Sequence, residues 1–500
     1  MLFAIMRLAM LSYHREGDAP PEFHGKTLDM AASFRSLMGQ CLTLADITKP
    51  YRYLIEALIF HLHADFCQAK ETDISIWVLV GVIARLAMRM GYHRDSKMFP
   101  NITPFHGEMR RRIWTFIKQA DLLFSFQVGL PSMLRSTDSD TELPRNFYDD
   151  DFSEDCQELP PSRPPDEFTP ICFLITKARL TYAFGLVVEH TSSVQGSSYE
   201  QTMEIDTELR RAREMVPEYL QVRPIEESLQ DPANVIMSRF SVSLLSSNNS
   251  LGTGTILINE QVMSVYHKAQ CVLHRRYITR ARHNPRFTYS RKTCIDSALE
   301  LLRYQSILHE ETKPTGHLRG LQNRVTSLTC TDFLLAATIV CLDLHHGLQL
   351  QNSGRPSGDV YIWGQERREE ALAALQRSKE IWEELHDETL EAWKASKVLD
   401  VMLSKLNMGF PGTDSGATAP SGFEPQDEKQ SAAMTLGLLS SGMSPMNNGP
   451  PPTFADPSLK MLDASLAASG GGSSVDIAAP ASPFNNMFAQ MPDMQLDWVS

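Results

Sequence analysis

The sequence predicts an all-α protein, a large multi-helix body followed by a disordered C-terminal tail. Three observations predict it. Apolar residues recur at three-to-four spacing in segment after segment, as in Ala371, Ala374, Leu375, Trp382 and Leu385. No alternating strand or Asn-Gly hairpin stands between those segments. After Phe410 the composition turns abruptly to Gly, Pro, Ser, Ala and Met, with SSGMSPMNNGPPP and ASGGGSS as low-complexity patches. The 500 residues are 42% hydrophobic, ample for a large core.

The body is read as residues 1–408 and the tail as 409–500. Residues 1–130 read as helices joined by short polar loops. The start, MLFAIMRLAMLSYHREG, lacks a basic stretch before its apolar part and is interrupted by Arg7, so it is not a signal peptide. Ile74 to Met90 is apolar nearly all round until Arg85, which predicts a buried helix, and Gly91 supplies its stop. The next helix starts near Pro104, with Glu108 placed to pair with Arg112 one turn on. From Asp138 to Pro170, many prolines and acids without a period predict a long exposed loop. Helical spacing returns from Ile171 to Val216. A Ser-, Asn- and Gly-rich stretch, 244–262, then breaks the pattern and reads as an insertion-like segment. Helices follow over Gln261 to Tyr277, Cys294 to Leu308 and Val325 to Leu348, with a final pair between Glu366 and Leu406. The greasiest runs, Ile76 to Ala84 and Phe333 to Leu342, fall short of the roughly twenty residues of a membrane span. The expectation is a soluble, intracellular chain with no membrane partner.

The formal net charge of −13 argues against a protein that coats nucleic acid, which needs a surplus of Lys and Arg. From Asp138 to Glu167 there are eleven acids against Arg145 and Arg163, and after Phe410 nine acids against Lys429 and Lys460. One basic stripe opposes them. Between Gln261 and Ile295 lie Lys268, Arg275, Arg276, Arg280, Arg282, Arg286, Arg291 and Lys292, with no acid among them. Such a stripe could touch DNA phosphates, serve as a nuclear import signal, or clasp the acidic loop 138–167 in an autoinhibitory contact; the bland reading is a solvated loop after a helix. The tail ends in NNMFAQMPDMQLDWVS, an acidic-hydrophobic alternation of the kind that docks on coactivators, or an inert terminus.

The eight cysteines rule out a local zinc knuckle, since the closest pair, Cys330 and Cys341, is eleven positions apart. No metal site and no cofactor is expected in this chain. On a helix His61 and Asp65 share a face but His63 points away, and His345 and His346 diverge in the same manner. Enzyme motifs are missing: there is no Gly-x-Ser-x-Gly elbow, no phosphate loop and no His-Glu-x-x-His. Gly252-Thr253-Gly254 lacks both a third glycine and a flanking strand. The acids Asp149 to Asp151 sit in a Pro-rich loop, where carboxylates are expected to stay solvated. No catalytic residue is assigned.

The strongest local signal runs from Trp77 to Pro131: IARLAMRMGYHRD (Ile83 to Asp95), TPFHGEMRRRIWTFIKQAD (Thr103 to Asp121) and SFQVGLP (Ser125 to Pro131). These segments resemble the signature of the fungal-specific transcription factor domain, the middle homology region of fungal zinc binuclear cluster regulators, in its xylanolytic-activator-like form. Arg85, Gly91, His93, Arg94, Asp95, Glu108, Arg110, Arg111, Arg112, Trp114, Asp121, Ser125, Gly129 and Pro131 all fall in place. LHRRYI (Leu273 to Ile278), TDFLLAATIVCLDL and the N-terminal run resemble further parts of the same domain, so the likeness spans roughly residues 1 to 405. Leu130 departs from the Arg usual in the Gly-Arg-Pro turn. Met1 falls inside the domain, so the zinc cluster that binds DNA in the family is expected upstream, and zinc only with it.

The resemblance implies a nuclear regulator of RNA polymerase II transcription. It would reach promoter DNA through the zinc cluster and coactivators through the tail, with a small-molecule effector and a homodimer as further partners. The rivals are a coregulator without its own DNA-binding domain and an all-α enzyme. Arg110, Arg111 and Arg112 cannot face one way, because successive helix positions turn by about 100°. Either they contact a phosphate or effector, or one or two pair with Glu108, Asp95 or Asp121 inside the fold. His93-Arg94-Asp95 reads as a loop-pinning device.

Overall fold

The computed structural model describes residues 1–17, 19–69, 74–193, 198–221, 262–313, 327–352, 364–387 and 390–407. The insertion-like segment 244–261 and the tail from 409 lie outside the described residues. Among the described residues, twelve α-helices and short 3-10 turns make up the regular structure, with no strand. In chain order they are α1 Leu2–Glu16, α2 Thr27–Ala45, α3 Leu54–Gln68, α4 Ile74–Arg89, α5 Pro104–Gln127, α6 Pro170–Ser192, α7 Tyr199–Glu214, α8 Val262–His274, α9 Thr288–Thr312, α10 Ser327–Asn352, α11 Gln365–Glu384 and α12 Leu390–Asn407.

Local chemistry sets several ends. Thr103 caps α5 by accepting from the His106 N–H at 3.3 Å, with Pro104 in the first turn where a missing N–H costs nothing. Ser198 and Gln201 form a reciprocal capping box on α7. Gly91 (φ 77°) and Gly129 (φ 72°) adopt the left-handed conformation that closes α4 and α5. Around Gly91 the Tyr92 N–H reaches back to the Ala87 carbonyl at 3.0 Å.

The described residues belong to one unit, Met1–Ser415, with two large apolar clusters. The first joins α3, α4 and α5 around Ile55, Leu58, Ile83, Ala84, Trp114 and Phe124. The second joins the end of α5 to α6 and all later helices, around Phe184, Cys271, Leu301, Val340, Leu375 and Trp382. Each fully buried Leu or Phe in them contributes about 1.5–3 kcal/mol. Helix α5 belongs to both: Trp114, Ile117 and Phe124 face the first cluster, and Leu122 and Leu123 the second. Arg7 ties α1 to α3 through Asp65 at 2.6 Å.

Two expectations are corrected here. Helix α4 is buried on one side only: Ile76, Val80 and Ile83 are enclosed, whereas Ile74 and Val78 are more than half exposed. An all-apolar stretch reports composition, not how many neighbours arrive. The acidic segment 138–170 is also no free loop. It lies across α5 as a strap, with Pro144, Asn146 and Phe147 buried beneath it. Helix α6 is the described helix long and apolar enough to cross a membrane, and its most apolar window is largely buried in the core.

Candidate functional site

Most of the signature residues lie on α5 or in the turns that flank it. Three successive arginines leave the helix in different directions, and each finds its own partner. Arg110 Nη2 donates to the Met90 carbonyl at 2.9 Å and its guanidinium lies 4.5 Å above the Tyr92 ring, which fastens the end of α4. Arg111 forks onto Asp95, Nε to Oδ2 at 3.0 Å and Nη2 to Oδ1 at 2.9 Å. Arg112 reaches Glu108 Oε1 at 3.4 Å and Asp149 Oδ1 at 2.5 Å.

Asp95 is more than a counter-ion. It also accepts from the backbone N–H groups of Lys97 at 3.0 Å and Glu142 at 3.1 Å. Burial alone would raise its pKa; the Arg111 fork and the two amides outweigh burial and hold it at about 2. Glu108, fully enclosed, behaves oppositely. Burial raises its pKa although Arg112, Arg111 and the Arg145 N–H all favour its ionised form.

The strap supplies the other half of the frame. Asp140 takes Arg94 and the Asp95 N–H, while Glu142 takes Lys97 and Arg111. Asp149 takes Arg112, Asp151 takes Arg163, and Trp114 Nε1 donates to Ser139 Oγ at 2.6 Å. Asp149 and Asp151, expected to be solvated, are therefore engaged, and by these cations rather than by the basic stripe, whereas Asp150 is exposed. Asn146 holds the strap's shape: its side-chain amide donates to the Arg163, Pro164 and Glu167 carbonyls, the shortest at 2.9 Å. Nothing local in the sequence marks this asparagine.

At the C-terminal end of α5, Asp121 accepts from Ser132 Oγ at 2.5 Å and from the Leu134 N–H at 2.9 Å. Burial raises its pKa. Ser125, wholly enclosed, accepts from Trp77 Nε1 at 2.9 Å. The Gly129-Leu130-Pro131 turn is exposed at Leu130 and Pro131, and Arg85 is exposed on α4. His93 is half-buried beside Trp114, with 6.2 Å between ring centroids.

The basic stripe is dispersed, which corrects two of its proposed phosphate contacts. Lys268 is buried 2.7 Å from Asp332, and Arg282 shares Asp343 with Arg291 at 2.8 and 2.9 Å. A guanidinium buried with its carboxylate cannot reach a DNA phosphate. Arg275 and Arg280 are exposed, and Arg276 is half-buried on the Tyr277 ring. The signal was present in TDFLLAATIVCLDL, because an acid inside an apolar helix requires a cation from elsewhere.

Ser290, His274 and Asp206 form a chain, Oγ to Nδ1 at 2.9 Å and Nε2 to Oδ1 at 3.4 Å. All three are wholly enclosed, and Gln270, Tyr289 and Arg210 complete the Asp206 shell. Burial would raise the Asp206 pKa, but hydrogen bonds from His274, Gln270 and Tyr289 bring it to about 2. With no open side for a substrate, the group acts as an internal fastener of α7, α8 and α9. Among the described residues, no group of three or more His, Cys, Asp or Glu side chains is placed to hold a metal ion.

This frame coincides with a family match: residues 54–215 fit the model of the fungal specific transcription factor domain. Residues 54–215 carry that domain. The Zn(2)-C6 fungal-type transcription factor pigI of Monascus ruber is 35% identical over 405 residues, 81% of this chain and 47% of that protein. The Zn(2)-C6 fungal-type transcription factor mpsB of Macrophomina phaseolina is 35% identical over 418 residues, 83% of this chain and 53% of its own length. The Fusarisetin A cluster transcription factor fsa6 of a Fusarium species is 33% identical, across 86% of this chain and 54% of its own length. The chain thus spans about half the length of these relatives. No solved structure matches it.

Proposed function

We propose that this chain is the regulatory region of a Zn(2)-C6 transcription factor that acts in the nucleus on RNA polymerase II promoters of a biosynthetic gene cluster. The observation that carries the reading is the similarity over most of the chain to factors so named. Three of them bear the name of a cluster: fusarisetin A, equisetin and pyrrolocin. Promoter contact is assigned to a zinc cluster of the kind in the relatives' names, and zinc to that cluster alone. Coactivator docking is assigned to residues 409–500, where acids alternate with Met487, Phe488, Met491, Leu496 and Trp498. Of the stripe, Arg275, Arg280, Arg286 and Lys292 are exposed, Arg286 beside Glu200, and are assigned to a phosphate contact.

Chromatin immunoprecipitation of the tagged native protein, paired with transcript profiling after deletion of its gene, tests the reading. The expected result is occupancy at promoters of a contiguous gene set whose transcripts change on deletion. Occupancy that depends wholly on a second zinc-cluster factor would replace this reading with the coregulator. Unchanged transcripts with no promoter occupancy would overturn both.

A further inference from the structure

Beside the frame, where α5 and α6 diverge and the segment after Gly129 folds over them, the structure has a half-open cavity of about 470 Å³. Its walls are largely apolar: Leu122, Pro131, Leu134, Tyr182, Leu186 and Val188. That size and lining fall in the range of small-molecule sites. Two features distinguish it from an accidental cleft. Gly185 lies inside α6, where glycine weakens a helix, and a Cβ built there would already touch Leu122 at 3.4 Å. Any larger side chain at 185 would crowd the wall, so glycine keeps the cavity open.

The second feature is Lys118. It leaves α5 into the cavity and places its ammonium 4.2 Å above the Tyr182 ring. No carboxylate pairs with it among the described residues, and burial lowers its pKa with no opposing charge to restore it. The other charges on the lining are Arg135 and Glu189, which cancel. The net positive charge is that of one half-buried ammonium facing an apolar chamber.

We infer that this cavity binds a small organic monocarboxylate, its apolar body against Leu122, Leu134 and Leu186 and its carboxylate on Lys118. The bound molecule would press on Pro131 to Leu134, the segment that Asp121 holds through Ser132 and the Leu134 N–H. Such a site does not depend on the transcriptional role, and binding is read out separately from it.

Isothermal titration of the purified full chain with 2-naphthoate tests the site, with 2-naphthol and 2-naphthylmethylamine as neutral and cationic matches. Saturable one-to-one binding of naphthoate in preference to both is expected. Lys118→Met keeps the apolar stem and removes the charge, and should weaken binding by about tenfold to a hundredfold, as loss of a charged hydrogen bond does. Gly185→Leu fills the chamber and should abolish it. Hydrogen exchange should slow at 131–137 when naphthoate is bound. Thermal melts of both variants show that each is folded, and Lys118→Gln serves as a second charge-free variant should Lys118→Met not fold. Equal affinity for the three probes, or binding indifferent to substitutions at both positions, would overturn the assignment.

Discussion

Arg111 and Asp95, sixteen residues apart, meet through two hydrogen bonds of 3.0 and 2.9 Å while both are almost wholly enclosed. The pair locks the turn after α4 against the middle of α5. Through Glu142 it also locks the strap, since the Glu142 N–H donates to Asp95 and the Glu142 carboxylate lies 3.2 Å from Arg111. Three segments distant in sequence thus share one ion pair.

Replacing Arg111 with Met should leave Asp95 buried without its counter-charge. The expected loss is about 3–5 kcal/mol, the range for breaking one partner of a buried pair. Arg111→Lys should fall between, because an ammonium cannot make the planar fork. Urea unfolding followed by circular dichroism measures both. An Arg111→Met variant within about 0.5 kcal/mol of the parent would mean that the pair is not a fastener.

Stability should fall in acid, and the sign follows from two carboxylates. Asp95 and Asp206 are held at about 2 in the folded protein, below the ordinary 3.8. Between those values the unfolded chain binds more protons, so stability present above the ordinary value is lost as pH falls toward about 2, by about 2 kcal/mol for each group. Glu108 and Asp121 act in the opposite direction, because burial raises their folded values and protonation relieves a cost. The Asp206→Asn variant should be less stable than the parent near neutrality and show a flatter decline below pH 4. Urea midpoints taken across that range check it; an acid limb as steep as the parent's would exclude Asp206 as a contributor.

Helix α5 carries a close approach that composition does not advertise. A Cβ at Gly107 would collide with Ser96 Oγ and stand 2.9 Å from Ser96 Cβ. Gly107→Ala should therefore destabilise by about 1–3 kcal/mol through overpacking, even though alanine is the better helix former. Adding Ser96→Gly should recover most of the loss. Thermal denaturation of the single and double variants decides this, and a Gly107→Ala variant more stable than the parent would show that the turn at Ser96 yields easily.

Local signals fixed more of this molecule than its site. The stop at Gly91, the start of α5 near Pro104 and the Glu108-to-Arg112 pairing one turn on are all written within a few residues, and the structure has them as read. The Asp138 to Pro170 segment is the irregular, largely exposed loop that its composition predicts, but composition does not show that it is pinned to α5. Prolines and acids without a period say only that the backbone is irregular, and the cations that engage Asp140, Glu142 and Asp149 lie on α5 or in the turn before it. The basic stripe is broken up for the same reason, since Asp332 and Asp343 neutralise Lys268, Arg282 and Arg291 from another helix.

The sequence by itself determined the helical class, the succession of helices and the signature on α5, because periodicity and capping act over one or two turns. Only the tertiary structure decided which arginine meets which carboxylate, that the acidic segment is a strap, and where a cavity opens beside Lys118. Those outcomes depend on desolvation and on distances of about 3 Å between groups tens of residues apart, and neither is encoded in local spacing.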